Sequence, residues 1–348
     1  MMNDVDFMQR ALELAEMGKG YTAPNPLVGC VIACDGSIIG EGFHHKSGEA
    51  HAEVNAIHSV KDKDALKRSD LFVTLEPCAH HGKTPPCVDL IIEMGIPRVV
   101  ICNSDPFESV NGKGIEQLQK AGVDVEVGLL AVAGRQLNQR FFTFHEKKRP
   151  YVILKFAQTN DGFLDAYRAE DDGNAPLKVS SGSMDRLVHK WRAEEDAILV
   201  GQNTVTLDDP VLTTRNWPGK NPIRLIIDPQ LQVSEDKRLL SDGHHTWIFN
   251  ALRNDYCENN LCYIRIDDPD AFQQEIMTYL HKSSIQSVII EGGATTLSRF
   301  IDAELWDEAR IITGPMRIGS GVPSPAISGI LLSSEMVGPD LLQVYSRV

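Results

Sequence analysis

The 348-residue sequence contains no apolar run near the ~18 residues that a bilayer-spanning helix requires. Basic residues are also scarce, since 34 lysines and arginines stand against 48 aspartates and glutamates, giving a formal net charge of −14. This balance disfavours a nucleic-acid backbone or an anionic membrane as partner, so we expect a small-molecule substrate, no nucleic acid and no membrane. The first residues, Met1 to Asp6, are acidic, whereas a secretory or mitochondrial leader would be basic. We therefore expect a cytoplasmic protein.

Cysteines are few and irregularly spaced. There are seven, an odd number that does not suit a disulfide framework in a chain of this length, so we expect reduced thiols, some of them on a metal. The length predicts about two domains, and the 42% hydrophobic and 24% charged content is typical of a packed globular protein rather than a disordered one.

The first half of the chain alternates helices and strands. Apolar periodicity predicts a helix over residues 4–17, and Asp35-Gly36 predicts a hairpin turn between strands at 27–33 and 38–43. Further elements are expected in chain order at 49–60, 71–75, 86–94, 98–102, from 113, at 123–127 and from 130. This order predicts a mixed sheet covered by helices.

The second half is expected to be a separate α/β domain. The charged stretch 144–150 closes with a proline, and a strand is expected directly after it, so we place the boundary near residue 147 and expect domains at 1–147 and 148–348. Strands are predicted at 151–156, 197–200, 223–227, 246–250 and 287–290, and helices near 183–194, 269–282 and from 295. The two halves share no motif.

Five residues of the first half suggest a catalytic zinc site. His51 and Glu53 lie at the start of a predicted helix, and Pro77-Cys78 and Cys87 follow a predicted strand. One imidazole and two thiolates leave the fourth tetrahedral position of zinc open for a water, whose pKa falls to about 7. Glu53 is the expected general acid and base. This H-x-E…P-C…C pattern resembles the signature of zinc-dependent nucleobase deaminases. The alternative interpretation is a histidine buried in the core and two cysteines that bind no metal.

The spacing of the two cysteines departs from the P-C-x-x-C of cytidine and tRNA-adenosine deaminases, because residues 79–86 separate them. This insert adds polar groups that suit a phosphorylated substrate, although a solvated loop is the simpler interpretation. Its histidines, His80 and His81, are alternative metal ligands.

Longer motifs resemble the bifunctional deaminase–reductase family of riboflavin biosynthesis. They are Asn25-Pro26-Leu27-Val28-Gly29, the whole segment from Pro77 to Cys87, Asp105-Pro106, and Asn111-Gly112-Lys113-Gly114. The resemblance implies a cytidine-deaminase-like first domain that binds one zinc ion and hydrolytically deaminates 2,5-diamino-6-(5-phosphoribosylamino)pyrimidin-4(3H)-one. It also implies substrate contacts at Asn25, His44, His80, Lys83, Asp105 and Asn111.

The second half lacks a Rossmann G-x-G-x-x-G fingerprint, so a dinucleotide must be held in another way. The sequence from Val288 to Thr295 predicts a strand, a glycine pair and a helix, an arrangement that brings backbone N–H groups to a pyrophosphate. A tight strand-to-helix turn without a ligand is the alternative.

The second half resembles the reductase domain of the same family, with matches that include Lys155-Phe156-Ala157, Asp208-Asp209-Pro210 and Glu291-Gly292-Gly293. The resemblance implies a dihydrofolate-reductase-like α/β fold that uses NADPH to reduce the ribosyl group of 5-amino-6-(5-phosphoribosylamino)uracil to ribityl. Implied cofactor contacts are Ala157, Thr204, Asp208, Gly293, Ala294, Thr295, Thr296, Leu297, Ser298 and Arg299. Implied substrate contacts are Arg192, Leu212, Arg215 and Glu291, where arginine suits a phosphate.

One segment departs from this family's pattern. Where many members have Ser-x-Trp beside the cofactor, this chain has Pro176-Leu177-Lys178; Lys178 is either a cofactor phosphate ligand or a solvated lysine. No obligatory acid is evident, and Asp208 is the one candidate. The family implies a homo-oligomer, a dimer or a tetramer. The competing hypothesis, a tRNA or nucleoside deaminase with an appended binding domain, predicts P-C-x-x-C spacing and a basic surface.

Overall fold

The computed structural model describes residues 2–79, 85–107, 111–168, 175–268 and 271–347. The chain divides into two units, Met1–Lys148 and Arg149–Val348, one residue beyond the boundary expected from the sequence. Among the residues described, no helix is long and apolar enough to cross a membrane.

The first unit is a mixed sheet flanked by helices, as expected. Its helices are α1 (Asp4–Glu16), α2 (Ala52–Ser59), α3 (Cys87–Glu93), α4 (Lys113–Lys120), α5 (Ala131–Leu137) and α6 (Gln139–Lys147), with a 3₁₀-helix at Lys63–Arg68. Its strands are β1 (Gly29–Cys34), β2 (Ser37–Phe43), β3 (Asp70–Leu75), β4 (Arg98–Asn103) and β5 (Asp124–Val127). The strand order is β2-β1-β3-β4-β5, with β1 antiparallel to both neighbours and β3, β4 and β5 parallel.

Successive residues of a strand point to opposite faces of the sheet. Both faces of this sheet present apolar side chains, so helices cover both. Along β1, Cys30 and Ile32 pack in the core with α2 and α3, whereas Val31 and Ala33 pack in the core with α1. The parallel strands β3 and β4 end at one edge, so the loops that follow them meet there. That edge carries the site.

The second unit contains a ten-stranded sheet. Its helices are α7 (Gly182–Glu194), α8 (Gln202–Asp208), α9 (Arg238–Ser241), α10 (Phe272–Lys282) and α11 (Ala294–Asp302). Its strands are β6 (Tyr151–Gln158), β7 (Phe163–Asp165), β8 (Ala197–Gly201), β9 (Ile223–Ile227), β10 (Thr246–Asn250), β11 (Tyr256–Glu258), β12 (Leu261–Arg265), β13 (Ser287–Ile290), β14 (Glu308–Thr313), β15 (Val322–Pro323), β16 (Ile330–Val337) and β17 (Asp340–Ser346).

The strand order of the large sheet is β11-β12-β10-β9-β8-β13-β6-β14-β17-β16, while β7 pairs with β15. The pairs from β12 to β14 are parallel and the outer pairs are antiparallel. The carboxyl ends of β6, β8, β9 and β13 therefore lie at one edge, where an α/β sheet binds its ligands.

Several elements of the second unit were not expected from the sequence, namely α8, α9, β7, β11, β12, β14, β15, β16 and β17. Two further local features also differ from the sequence-based expectations. The helix expected from residue 130 is interrupted at Asn138, whose side-chain amide accepts the Leu27 N–H and donates to the Leu27 carbonyl, so that α5 ends and α6 begins there. The expectation of seven reduced thiols was wrong for one pair, since Cys257 and Cys262 form a disulfide. These two residues lie directly opposite each other in the β11–β12 hairpin, which brings their sulfurs together.

Candidate active sites

The expected zinc ligands converge at the edge where β3 ends. His51 is the N-cap residue of α2, Cys87 is the first residue of α3, and Cys78 lies in the loop after β3. The Nδ1 atom of His51 lies 3.6 Å from the Cys78 Sγ and 3.3 Å from the Cys87 Sγ. One nitrogen and two sulfur donors within 4.8 Å of one another fit zinc and leave a coordination position for water.

The surroundings stabilise the thiolate of Cys78, whereas the hydrogen bond with Cys78 and burial raise the pKa of the Cys87 thiol. A hydrogen bond from the Cys87 thiol lowers the pKa of Cys78 to about 4, and His51 contributes in the same direction. The backbone N–H of Cys87, at the start of α3, donates to the Cys78 sulfur at 3.3 Å. A thiolate at this position is therefore already stabilised by its surroundings, as a zinc ligand requires.

Glu53 lies beside these ligands on the first turn of α2 and is only 4% exposed. Burial raises the pKa of Glu53 to about 7; Cys78 acts in the same direction and His51 opposes it. A carboxyl group in this environment can hold or release a proton near neutral pH.

The cluster opens into a cavity of about 300 Å³, which is lined by Glu53, His51 and Cys78 and by three of the expected substrate contacts, Asn25, His44 and Asp105. The Nδ2 of Asn25 lies 3.0 Å from the His44 Nε2, while the His44 Nδ1 lies 3.1 Å from the Ala50 carbonyl. His44 therefore orients the Asn25 amide.

The remaining expected substrate contacts of this domain do not line the cavity in the described part of the chain. Asn111 is exposed on the loop before α4, and its backbone N–H donates to the Phe107 carbonyl at 2.9 Å. His80, His81 and Lys83 lie outside the described residues.

Several cavity residues were not found from the sequence. Three of them carry aromatic rings, Phe107, Phe141 and His145, and the others are Pro24, Leu75 and Glu76. The His145 ring lies 4.5 Å from the Phe141 ring and 5.2 Å from the Phe107 ring, centroid to centroid. These rings come from the loop after β4 and from α6, so they form an aromatic wall suited to a flat heterocycle. The phenylalanines carried no motif, and only the three-dimensional fold brings them together.

The second unit has a cavity of about 540 Å³ at the carboxyl edge of its parallel strands. Expected contacts that line it are Ala157, Thr204, Asp208, Glu291, Gly293, Ala294, Thr295, Thr296 and Arg299. The Gly293 N–H donates to the Thr204 hydroxyl at 3.1 Å, which ties the turn before α11 to α8. A Cβ at Gly201 would lie 2.3 Å from the Thr296 hydroxyl oxygen, so close packing of these two turns requires glycine there.

Other expected contacts lie away from the lining, as far as the described residues show. Leu297 is fully buried in the core and Ser298 is partly buried on α11. Leu212 is also buried. Arg215 is exposed, and its backbone N–H donates to the His189 Nδ1 at 2.9 Å. The side chain of Lys178 is 69% exposed and its ammonium pairs with Asp185 at 2.9 Å.

Glu291 is the centre of a buried ion cluster at this cavity. Its carboxylate lies 2.7 Å from the nearest Arg192 nitrogen and 3.5 Å from the Lys155 ammonium. Burial alone would raise the pKa of Glu291, but Arg192 and Lys155 outweigh burial and lower it to about 2. Lys155 lines the cavity, and sequence reasoning gave it no role although its motif was noted.

Asp208 also has an unexpected partner. Arg168 contacts the carboxylates of both Asp165 and Asp208, and its own side chain is only 7% exposed. Burial raises the pKa of Asp208, and the Arg168 guanidinium opposes that shift. The sequence gave no signal for Arg168, because its partners lie on separate elements.

Comparison with known proteins identifies both units. The family model of the cytidine and deoxycytidylate deaminase zinc-binding region matches residues 1–103. The family model of the RibD C-terminal domain matches residues 150–342. The chain is 39% identical to the riboflavin biosynthesis protein RibD of Aquifex aeolicus, over 92% of this chain and 89% of that protein. It is 37% identical to RibD of Escherichia coli, over 92% and 89% respectively.

Solved structures agree with these similarities. A deaminase/reductase from Thermotoga maritima is 35% identical, with a TM-score of 0.88 over 99% of this chain and 98% of that one. The RibD of Acinetobacter baumannii is 30% identical, with a TM-score of 0.89 over 99% of both chains. The fold expected for both domains is thereby confirmed.

Proposed function

The chain belongs to the RibD family, the bifunctional zinc-dependent deaminase and NADPH-dependent reductase of riboflavin biosynthesis, and we propose that its two units act successively on one phosphoribosylated pyrimidine. The proposed substrates are those for which the Thermotoga maritima deaminase/reductase is named, diaminohydroxyphosphoribosylaminopyrimidine and then 5-amino-6-(5-phosphoribosylamino)uracil. The observation that carries the proposal is the placement of Glu53, His51 and Cys78 in one cavity with an aromatic wall.

In the first step, water replaces the 2-amino group of the pyrimidine, which leaves as ammonia. His51, Cys78 and Cys87 would hold the zinc, which when bound supplies the electrophile that activates water at neutral pH. Glu53 takes a proton from the attacking water and delivers it to the departing nitrogen. Asn25 and Asp105 bind the polar edges of the substrate, and the aromatic wall packs against its ring.

In the second step, the opened ribosylamine is reduced at the sugar carbon to the ribityl amine. NADPH supplies the reducing equivalent, and the glycine turn before α11 with Thr204 holds the cofactor phosphates. The Arg192–Glu291–Lys155 cluster borders the substrate. Asp208, held by Arg168, lies at the same cavity and is the candidate proton donor.

We also propose that the chain self-associates through β16. This strand is an edge of the large sheet and exposes four apolar side chains, Ile330, Leu331, Leu332 and Met336, each between 47% and 63% exposed. An exposed apolar edge is otherwise prone to aggregation, so a second copy is its simplest cover. Leu332→Lys should lower the solution mass measured by light scattering, and an unchanged mass would contradict this interface.

We further propose a cytoplasmic location, because three free thiols outside the zinc site, Cys30, Cys34 and Cys102, suit a reducing compartment, although the Cys257–Cys262 disulfide does not add to this argument. Cell fractionation tests it, and recovery of the protein outside the cytoplasm would contradict it.

The activity test uses the zinc-loaded protein with the diaminopyrimidine substrate, following ammonia release and NADPH oxidation separately. Ammonia should appear without NADPH, and oxidation should follow only after deamination. Glu53→Gln should keep zinc and lose about 10²- to 10⁴-fold in ammonia release, since it removes proton transfer. Glu93→Gln, an exposed carboxylate on α3, is the matched control. Ammonia release that survives in Glu53→Gln would refute the role of Glu53.

A further inference from the structure

A second buried glutamate, Glu76, lies directly after β3 and two residues before Cys78, and it is 4% exposed. Its carboxylate accepts four backbone N–H groups. Oε2 accepts from Asp105 at 3.2 Å and from Gly112 at 3.0 Å, and Oε1 accepts from Gly114 at 2.9 Å and from Ile115 at 3.4 Å. Because a carboxylate has about four lone-pair positions, Glu76 is saturated by backbone donors.

These donors come from both ends of one loop. Asp105 follows β4, whereas Gly112, Gly114 and Ile115 form the N-terminal end of α4, whose unpaired N–H groups favour an acceptor with negative charge. Glu76 is therefore the N-terminal cap of α4, supplied by a different element of the fold. It also links Asp105, which follows β4, to the start of α4.

The same contacts explain why glycine occupies positions 112 and 114. Gly112 adopts a φ of +76°, and a Cβ at Gly114 would lie 2.2 Å from the Pro77 carbonyl oxygen and 3.2 Å from Oε1 of Glu76. Side chains at these positions would keep the backbone N–H groups from reaching the carboxylate. The Asn111-Gly112-Lys113-Gly114 motif thus supplies backbone donors to Glu76.

The residues that follow β4 include two that line the deaminase cavity, Asp105 and Phe107, and the Asp105 Oδ1 accepts the Phe107 N–H at 2.8 Å. Glu76 lines the same cavity, but backbone N–H groups occupy the acceptor positions of its carboxylate. We propose that Glu76 is a positioning residue for the deaminase, holding Asp105 and Phe107 where the substrate meets them without taking part in proton transfer. The inference rests on the proposed deaminase function.

The test is Glu76→Gln in the full-length, zinc-loaded protein, because glutamine keeps the shape but places an amide N–H₂ against backbone donors. We expect the KM for the diaminopyrimidine to rise about tenfold or more, because the backbone N–H groups lose hydrogen bonds to a charged carboxylate. The change in kcat should be smaller. Zinc content and NADPH oxidation with supplied 5-amino-6-(5-phosphoribosylamino)uracil should not change. Glu116→Gln, on the exposed face of α4, is the matched control.

A second measurement does not depend on activity. Hydrogen exchange of the Asp105, Gly112 and Gly114 amides should be slow in the natural protein and much faster in Glu76→Gln, with Glu76→Asp between them because it keeps the charge. Unchanged exchange, an unchanged KM, or loss of zinc together with both activities would each overturn the positioning role. Absence of ammonia release from the natural protein would instead refute the proposed function, and the exchange data would still test the loop contacts.

Discussion

Replacing Glu291 by glutamine should destabilise the reductase unit in a pH-dependent way. The carboxylate is 8% exposed and lies between Arg192 and Lys155, which are 11% and 14% exposed. Its pKa of about 2, against a usual 4.5, corresponds to about 3 kcal/mol of net stabilisation of the ionised form. Because the folded-state pKa is lowered, this stabilisation is fully present above pH 4.5 and is lost as the pH falls towards 2.

The assay is urea unfolding followed by tryptophan fluorescence. All four tryptophans, at 191, 217, 247 and 306, lie in the second unit, so the signal reports that unit. At pH 7 the free energy of unfolding of Glu291→Gln should be lower than that of the natural protein by about 3 kcal/mol, and at pH 3 the difference should fall to about half or less. Glu304→Gln, whose side chain is 81% exposed, is the control and should change little.

The pH dependence separates charge from shape. A destabilisation by Glu291→Gln that is equal at pH 7 and pH 3 would mean that the glutamine packs badly and that the ion cluster contributes nothing measurable. No destabilisation at pH 7 would mean that the cost of burying three charges cancels their attraction, as happens in some buried ion pairs. Either result would refute the reasoning from the lowered pKa.

Removal of zinc by a chelator should abolish ammonia release but leave NADPH oxidation with supplied 5-amino-6-(5-phosphoribosylamino)uracil unchanged. Added zinc should restore ammonia release. Parallel loss of both activities would contradict separate sites. Arg299→Ala should lower kcat/KM for NADPH about tenfold or more and that for NADH far less, because Arg299 lines the cofactor cavity and suits the 2′-phosphate. An unchanged preference in steady-state kinetics would refute that role. Lys178→Ala should leave the KM for NADPH within about twofold, since its ammonium pairs with Asp185, and a larger rise would restore Lys178 as a cofactor ligand.

Local features of the fold were predictable where the chemistry is local. The hairpin expected around Asp35-Gly36 forms β1 and β2, because both residues adopt positive φ, 52° and 74°, as the tight turn requires. The helix expected at 4–17 forms α1, where the Asn3 and Asp6 side chains accept each other's backbone N–H. The convergence of His51, Cys78, Cys87 and Glu53 was predictable because all four belong to one sequence motif, and their roles as zinc ligands and proton carrier stay predictions.

Contacts between distant elements were not predictable in this way. Lys155, Arg192 and Glu291 are far apart in sequence, and only the parallel pairing of β6 with β13 brings the first and last together. Within the described residues, the four hydrogen-bond donors to Glu76 are backbone N–H groups, which every sequence offers. The edge strand β16 also escaped detection, since the apolar side chains of Ile330 to Leu332 are consecutive and exposed rather than alternating with polar ones.

Three glutamates in this chain show how the surroundings of one side chain decide its chemistry. Burial disfavours the charge of each carboxylate, and each is compensated differently. Two cations hold Glu291 as an anion, so its carboxylate is not suited to exchange a proton during catalysis. Four backbone N–H groups occupy the acceptor positions of Glu76, so its carboxylate is suited to holding the backbone in place. At Glu53 the charge of His51 offsets burial only in part, and the pKa rises to about 7 instead. We therefore predict that Glu53, rather than Glu291, carries the proton from water to the leaving amine.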